Sequence, residues 1–414
     1  MATAPLHVHI DGTPAAVGRL TRSDVHADTY LFDYAASSLA APPAVRPQHA
    51  VSLTMPVVNA QYDAMSVVHP VFEMNLPEGA LREKLTRRFG KATPNFDSLS
   101  LLSIVGASQI GRLRYATGTP TQQVSVSQLL AYTGAEDLFT ELMERYCVDS
   151  GISGMQPKVL LRDDVPLDKI THRGATHIVK SFDPREYPEL AANEFFCMQA
   201  AHLAGLPAAK VQLSANRKML IVERFDIAAH TKTPATSDYL GFEDFCVLSG
   251  LRSDERYSGS YEDLAHKITL YLDGAECLAA LRQLFSTLVL ACAVGNGDAH
   301  LKNFGLLYTT PGHQMRLAPV YDMVSTVAYN ARDSMALALG GSKAFASHAQ
   351  LVAFGRQDCL LSASAVAQAM QAVAQGLRQA LVLMKNFAAR NTDFADAAQT
   401  LSVLFEKGLA RTAL

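Results

Sequence analysis

The hydrophobic pattern of this chain becomes dominated by the helical period after about residue 228, and no other feature limits its fold as much. Upstream of that point the apolar residues mostly alternate. Leu6, Val8 and Ile10, then Val17 and Leu20, read as a hairpin that turns at Asp11-Gly12 through a loop longer than two residues. TYLFDY, VSLTMP, GRLRYA, GMQPKVLLR and THIVKSF read as further strands, and AKVQLSANRKMLIVERFD as a hairpin turning at Asn216-Arg217. Helices are expected at LPEGALREKLTRRFG, opened by Pro77 and closed by Gly90, at 96–105, at 126–148 and at YPELAANEFFCMQAAHLAGL. Downstream the period is helical: 243–249, 261–272, 275–294 and several segments from 349 onward. Strands first and helices afterwards predict an α+β chain with two lobes rather than alternating βα units. The length of 414 residues also exceeds one typical core. The expected pieces are 1–117, 118–227 and 228–414, with the polar, proline-bearing TGTPTQQVSVSQ as a linker.

Composition removes several functions. The formal net charge of −3 provides no overall drive toward nucleic acid or an anionic membrane, although a local basic patch is compatible with it. Six cysteines occur without a C-x-x-C pair, so no zinc pattern is present and a reducing cytoplasm is expected. The N-terminal residues MATAPLHVHIDG lack the basic and apolar regions of a signal peptide. The longest apolar stretch, roughly 284–294, is short for a bilayer span and contains Ser286 and Thr287.

The most concentrated chemistry lies in VGNGDAHLKNFGLLY, residues 294–308. Asp298 and Asn303 have the D-x-x-x-x-N spacing of a kinase catalytic loop. The carboxylate accepts a substrate hydroxyl proton, and the amide oxygen serves Mg²⁺ from the same short loop. By itself the spacing is weak, because such residues also cap and shape loops. Asp322 follows the apolar run RLAPV and is expected at the end of a strand, where a second oxygen ligand for Mg²⁺ belongs. Lys180 sits in an apolar strand, where a charge needs partners such as ATP phosphates and the carboxylate of Glu194 in the next helix. The small-residue turn at Ile152, Ser153, Gly154, Met155 and Gln156, leading to Lys158, offers backbone N–H groups to phosphates. His300 reads first as an internal hydrogen-bonding residue, and Lys302 as a loop cation or phosphate contact. Glu223 and Phe225 end the last strand before the helical part, where a kinase hinge reads adenine. Arg224 and Asp226 are open between hinge residues and surface charges.

Taken in order, SGISGMQPKVLL, HIVKSFD, NEFFCMQAAHLAGL, LIVERFD, GNGDAHLKNFGLLY and LAPVYDMVST resemble the HipA family, the serine/threonine kinase toxins of bacterial toxin–antitoxin modules. The resemblance implies a protein-kinase-like fold: an extra N-terminal subdomain over 1–117, a mixed N-lobe over 118–227 and a helical C-lobe over 228–414. It implies Asp298 as catalytic base, Asn303 and Asp322 on Mg²⁺, and ATP held by the 152–158 loop, Lys180, the hinge residues Glu223 and Phe225, and the loop residues His300 and Lys302. It further implies silencing by autophosphorylation in the loop. Several relatives carry a serine where this chain has Gly151, so Ser153 is the first candidate and Ser150 the second. The implied partners are a HipB-like helix-turn-helix antitoxin that carries most of the contact to operator DNA, and an aminoacyl-tRNA synthetase as protein substrate. Two rival readings fit the same motifs: a small-molecule kinase of similar architecture, and a degenerate kinase serving as a repressor subunit.

Overall fold

The computed structural model describes residues 5–78 except 27, 82–83, 86–87, 96–106, 109–115, 158–161, 176–228 except 183, and 239–413. The expected helix 126–148, the turn at 151–157 and most of the helix after Pro77 fall outside these residues. The chain forms two compact units. One takes Met1–Ser181, Ser214–Ser253 and Leu306–Gln314; the other takes Phe182–Leu213, Asp254–Gly305 and Met315–Leu414.

In the first unit β1 (Leu6–Ile10), β2 (Gly18–Arg22), β3 (Thr29–Tyr34), β4 (Gln61–Met65) and β5 (Leu113–Tyr115) form a sheet of order β4-β3-β2-β1-β5. The alternation seen in the sequence sets its register. Leu6 faces Leu20 and Val8 faces Tyr115, so Leu6, Val8, Ile10 and Leu20 all enter one core. One expectation fails here, and one strand is unexpected. VSLTMP is not a strand but a turn closed by a Ser52–Met55 bridge, because the Ser52 hydroxyl and the Leu53 N–H both turn to the buried Glu243 carboxylate, at 2.5 and 2.8 Å. β4, conversely, carries little apolar signal. It is an edge strand whose residues are all exposed or half-buried, and it forms by pairing with β3.

A second sheet pairs β6 (Lys158–Leu161) with β7 (His177–Ser181), and β7 with the strand Met219–Glu223, both antiparallel. Val179, Met219 and Ile221 belong to the same buried cluster as the N-terminal strands. Burying one continuous core ties the two sheets into a single cooperative body.

The second unit is helical around Gly274–Val294, whose residues from Leu284 to Val294 are all buried. This helix is long and apolar enough to cross a membrane, unlike the shorter stretch read from the sequence. Most of its apolar window lies inside the unit, as in a core helix. The helix Ala363–Ala388 packs along Leu190–Leu203, and Phe196, Phe387 and Phe394 meet edge-on or stacked at 5.5–5.8 Å between ring centres. His348–Gln357 and Ala395–Arg411 complete the bundle. The α+β expectation therefore holds: sheets dominate one unit and helices the other.

Candidate active site

The loop at 295–304 is built at the C-terminus of the core helix Gly274–Val294. Gly295 caps that helix in the left-handed region at φ 72°, and a Cβ there would strike Val327. Gly297 has no room either, because Asp333 fills the place of its Cβ. The two glycines of GNGD thus let the chain turn close beneath residues 326–334.

Neutral hydrogen bonds fix the rest of the loop. The Gly297 N–H donates to Thr326 Oγ1 at 2.7 Å, and the Thr326 hydroxyl donates in turn to Asp333. Buried Asn296 accepts from the Asp298 N–H at 2.9 Å. The Tyr261 hydroxyl donates to Ala299 O at 3.0 Å, and the Leu301 N–H to Arg256 O at 3.1 Å. Asn303 Oδ1 accepts from the His300 N–H at 3.2 Å, which leaves the amide oxygen a further lone pair.

Within this frame the Asp298 carboxylate is half exposed, at 50 %. It accepts a hydrogen bond from the Tyr257 phenol at 2.7 Å. His300 Nε2 lies 3.9 Å away, and burial pulls that imidazole down to about 4 against the opposing pull of Asp298, so His300 is neutral near pH 7. Burial and the neighbouring Asp298 both push the Tyr257 phenol upward, so it stays protonated and remains a donor.

Asp322 does not end a strand. It lies in irregular chain beyond the two-residue strand Arg316–Leu317 and adopts φ 56°. The neighbouring Pro319 has no N–H to donate to a ladder. Its flanking residues bind the Asp298 loop: the Tyr321 hydroxyl donates to Lys302 O at 2.7 Å, and Asn296 Nδ2 approaches Met323 Sδ at 3.4 Å. Asn193 then grips Ser325 at both backbone positions, at 2.9 and 3.0 Å. This joins the segment to the helix that carries buried Glu194. The second unit therefore places Asp298, His300, Lys302, Asn303, Asp322 and Glu194 on three segments, with the 321–325 segment bonded both to the loop and to the helix.

The remaining candidates belong to the first unit. Lys180 is buried in β7 and stands across from Lys158 in the β6–β7 register. Glu223 stands across from His177, and the Phe225 ring meets Phe242 edge-on at 5.7 Å. Arg224 and Asp226 are not surface charges. Arg224 pairs with both Asp226 oxygens at 2.9 and 2.5 Å and donates to Gln109 O at 3.0 Å, while Asp226 Oδ2 accepts from the Gly111 N–H at 2.7 Å. Beside them Arg114 pairs with Asp11 at 2.8 Å, and both guanidinium groups pack on the Tyr239 ring. Ile152, Ser153, Gly154, Met155, Gln156 and Ser150 lie outside the described residues. Sequence reasoning missed Tyr257, Asn193, Thr326 and Asp333. Asn193 and Thr326 lie at the ends of NEFFCMQAAHLAGL and LAPVYDMVST without a role read for them, Tyr257 and Asp333 fall in no motif, and only the GNGD glycines hint at a crowded loop.

Two ligands of the kind proposed for Mg²⁺ are chemically suited to it. The ion prefers oxygen donors and takes one or two carboxylates, completing its shell with phosphate and water. Asn303 and Asp322 offer one amide and one carboxylate, and among the described residues no three His, Cys, Asp or Glu side chains cluster as a closed metal cage.

Comparison with known proteins places this geometry. Residues 6–116 match the HipA N-terminal domain, and residues 150–381 match the HipA-like C-terminal domain. A protein of Sinorhizobium fredii named "Putative kinase Y4mE" is 28 % identical over 291 residues, 66 % of this chain and 67 % of that protein. A Haemophilus influenzae protein named "Putative kinase" is 32 % identical over 187 residues, 43 % of this chain and 53 % of that one. The fold is shared with the toxin–antitoxin complex of Shewanella oneidensis HipA, HipB and operator DNA, at TM-score 0.72 and 19 % identity over 99 % of this chain and 98 % of that one. With both domain families matched in order and together spanning most of its length, the chain belongs to the HipA family.

Proposed function

We propose that this chain is a serine/threonine protein kinase of the toxin type, transferring the γ-phosphoryl group of ATP to a protein hydroxyl. The observation that carries the reading is the half-exposed Asp298 carboxylate on a tightly braced loop, with Asn303 in the same loop and Asp322 on a segment bonded to it. Asp298 takes the acceptor hydroxyl's proton as the phosphoryl group is transferred. Asn303 and Asp322 hold Mg²⁺, which when bound neutralises phosphate charge. Lys180, supported by Glu194, and the 152–158 segment bind the phosphates, with His300 and Lys302 contributing from the loop. Glu223 and Phe225 contact the adenine. The names of the two curated relatives support kinase chemistry.

The partners follow from the Shewanella assembly: a HipB-like antitoxin, with operator DNA reached mainly through it. The protein substrate is an aminoacyl-tRNA synthetase, phosphorylated in the cytoplasm, so that translation stalls. Phosphorylation of Ser153, or of Ser150 in its place, silences the enzyme by adding about two negative charges to a loop that cradles phosphate.

Asp298→Asn tests the chemistry. Labelled phosphate transfer from Mg·ATP is expected to fall by about 10³-fold or more, with the fold intact. Transfer at the wild-type rate would remove Asp298 as the base. Phosphopeptide mapping of the wild type after incubation with ATP is expected to place label within 150–153. Label confined to other segments would rule out the loop switch.

A further inference from the structure

We propose that Tyr257 is the positioning residue of Asp298, an inference that rests on the kinase reading above. The phenol gives its hydrogen bond to Oδ1 at 2.7 Å. Among the described residues it is the one side chain within hydrogen-bond distance of this carboxylate, since His300 Nε2 is at 3.9 Å and neutral. A half-exposed aspartate with no such partner would sample several rotamers in water. With Oδ1 held, Oδ2 faces an acceptor hydroxyl in one orientation, which is what an in-line transfer needs.

The phenol is itself held in place from several sides. The Leu301 N–H of the catalytic loop donates to Arg256 O at 3.1 Å, and Lys343 Nζ donates to Tyr257 O at 3.2 Å. The ring meets His300 edge-on at 5.1 Å, and the Arg256 guanidinium lies 5.6 Å from its centre. Three residues on, Ser260 and Asp263 close a capping box that starts the next helix and anchors the segment. Because its proton is held tightly, Tyr257 keeps the O–H while Asp298 does the accepting. It is not a second base.

The test uses the full chain with Mg·ATP and casein as acceptor, reading total ADP formation. Tyr257→Phe keeps the ring on His300 and removes only the hydroxyl. Expected is a fall in kcat of about tenfold, the scale of one hydrogen bond to a charged group, with the KM for ATP and the thermal midpoint unchanged. Tyr257→Leu, which also removes the ring, should lose about as much kcat as Tyr257→Phe. In an Asp298→Asn background Tyr257→Phe should cost nothing more. Wild-type kcat in Tyr257→Phe, a rise in kcat, or a loss confined to KM would each overturn the assignment. So would a loss in Tyr257→Leu alone, which would mark the ring as merely structural. Asp298→Asn at wild-type rate, or a wild type that forms no ADP, would instead refute the kinase reading and the inference with it.

Discussion

The end of the strand Met219–Glu223 in the first unit and the loop after the helix Gly274–Val294 in the second both carry polar residues inward, and they are braced by opposite chemistry. The strand end is held by full charges: Arg224, Asp226, Arg114 and Asp11, with the side chains of Arg224 and Asp226 each only 1 % exposed. The loop is held by neutral donors and acceptors: Asn296, Thr326, the Tyr261 hydroxyl and backbone groups. The difference is instructive. Buried charges hold a segment rigidly because each becomes costly once its partner leaves. On the kinase reading, a loop that presents Asp298 as base is served by such bonds, which hold its backbone through neutral groups, with the Asp333 carboxylate standing behind the Thr326 hydroxyl.

The contrast breaks most visibly at Arg224. Replacing it by Leu strands Asp226 without its counter-ion in a dry site, and about 3–5 kcal/mol of stability should be lost. Urea unfolding measures this directly. Removing both partners, as Arg224→Leu with Asp226→Leu, should cost clearly less than the two single changes added together, because neither charge is then left alone. Additive losses would mean that the pair is not coupled, and the first half of the comparison would fail. Thr326→Val probes the other half. It leaves the Gly297 N–H without its acceptor and Asp333 without its donor, at a cost of about 1–3 kcal/mol. Its effect should appear in kcat more than in ATP affinity, since the loop it supports carries Asp298. If Thr326→Val were as destabilising as Arg224→Leu, the distinction between charged and neutral bracing would not hold.

Much of the candidate loop is legible in the sequence, because the D-x-x-x-x-N spacing and the GNGD glycines are local. The order of strands and helices was legible for the same reason: alternation and helical period are near-neighbour properties. What the sequence concealed is non-local. Arg224 and Asp226 looked like possible surface charges because their partners Gln109 and Gly111 lie 115 residues away along the chain. VSLTMP alternated like a strand, yet Ser52 bonds Glu243 at a separation of 191 residues, and that contact sets a turn. β4 was invisible because QYDAM has no buried face and takes its conformation from β3. Tyr257 belongs to no motif, and its role depends wholly on a partner 41 residues downstream.

The smallest predicted effect compares the units through one histidine each. Burial pulls both His69 in the first unit and His300 in the second from 6.5 to about 4. For His300 burial prevails even though Asp298 pulls the other way. Folded imidazoles at about 4 bind fewer protons than unfolded ones at 6.5, so their contribution to stability is complete above pH 6.5 and is lost as the pH falls toward 4. Between pH 7 and 5 each should cost about 1–2 kcal/mol, the ideal linkage value reduced for partial solvent contact. Urea midpoints at the two pH values, for the wild type, His69→Gln and His300→Gln, resolve the two contributions. Each variant should recover about half of the acid-induced loss, because a neutral amide has no proton to gain. His300→Gln should in addition flatten the acid sensitivity of the unit that carries Asp298, visible as a smaller drop in ADP formation after a brief exposure to pH 5. An acid slope unchanged in both variants would show that carboxylates elsewhere govern acid unfolding, and the two histidines would no longer report on their units.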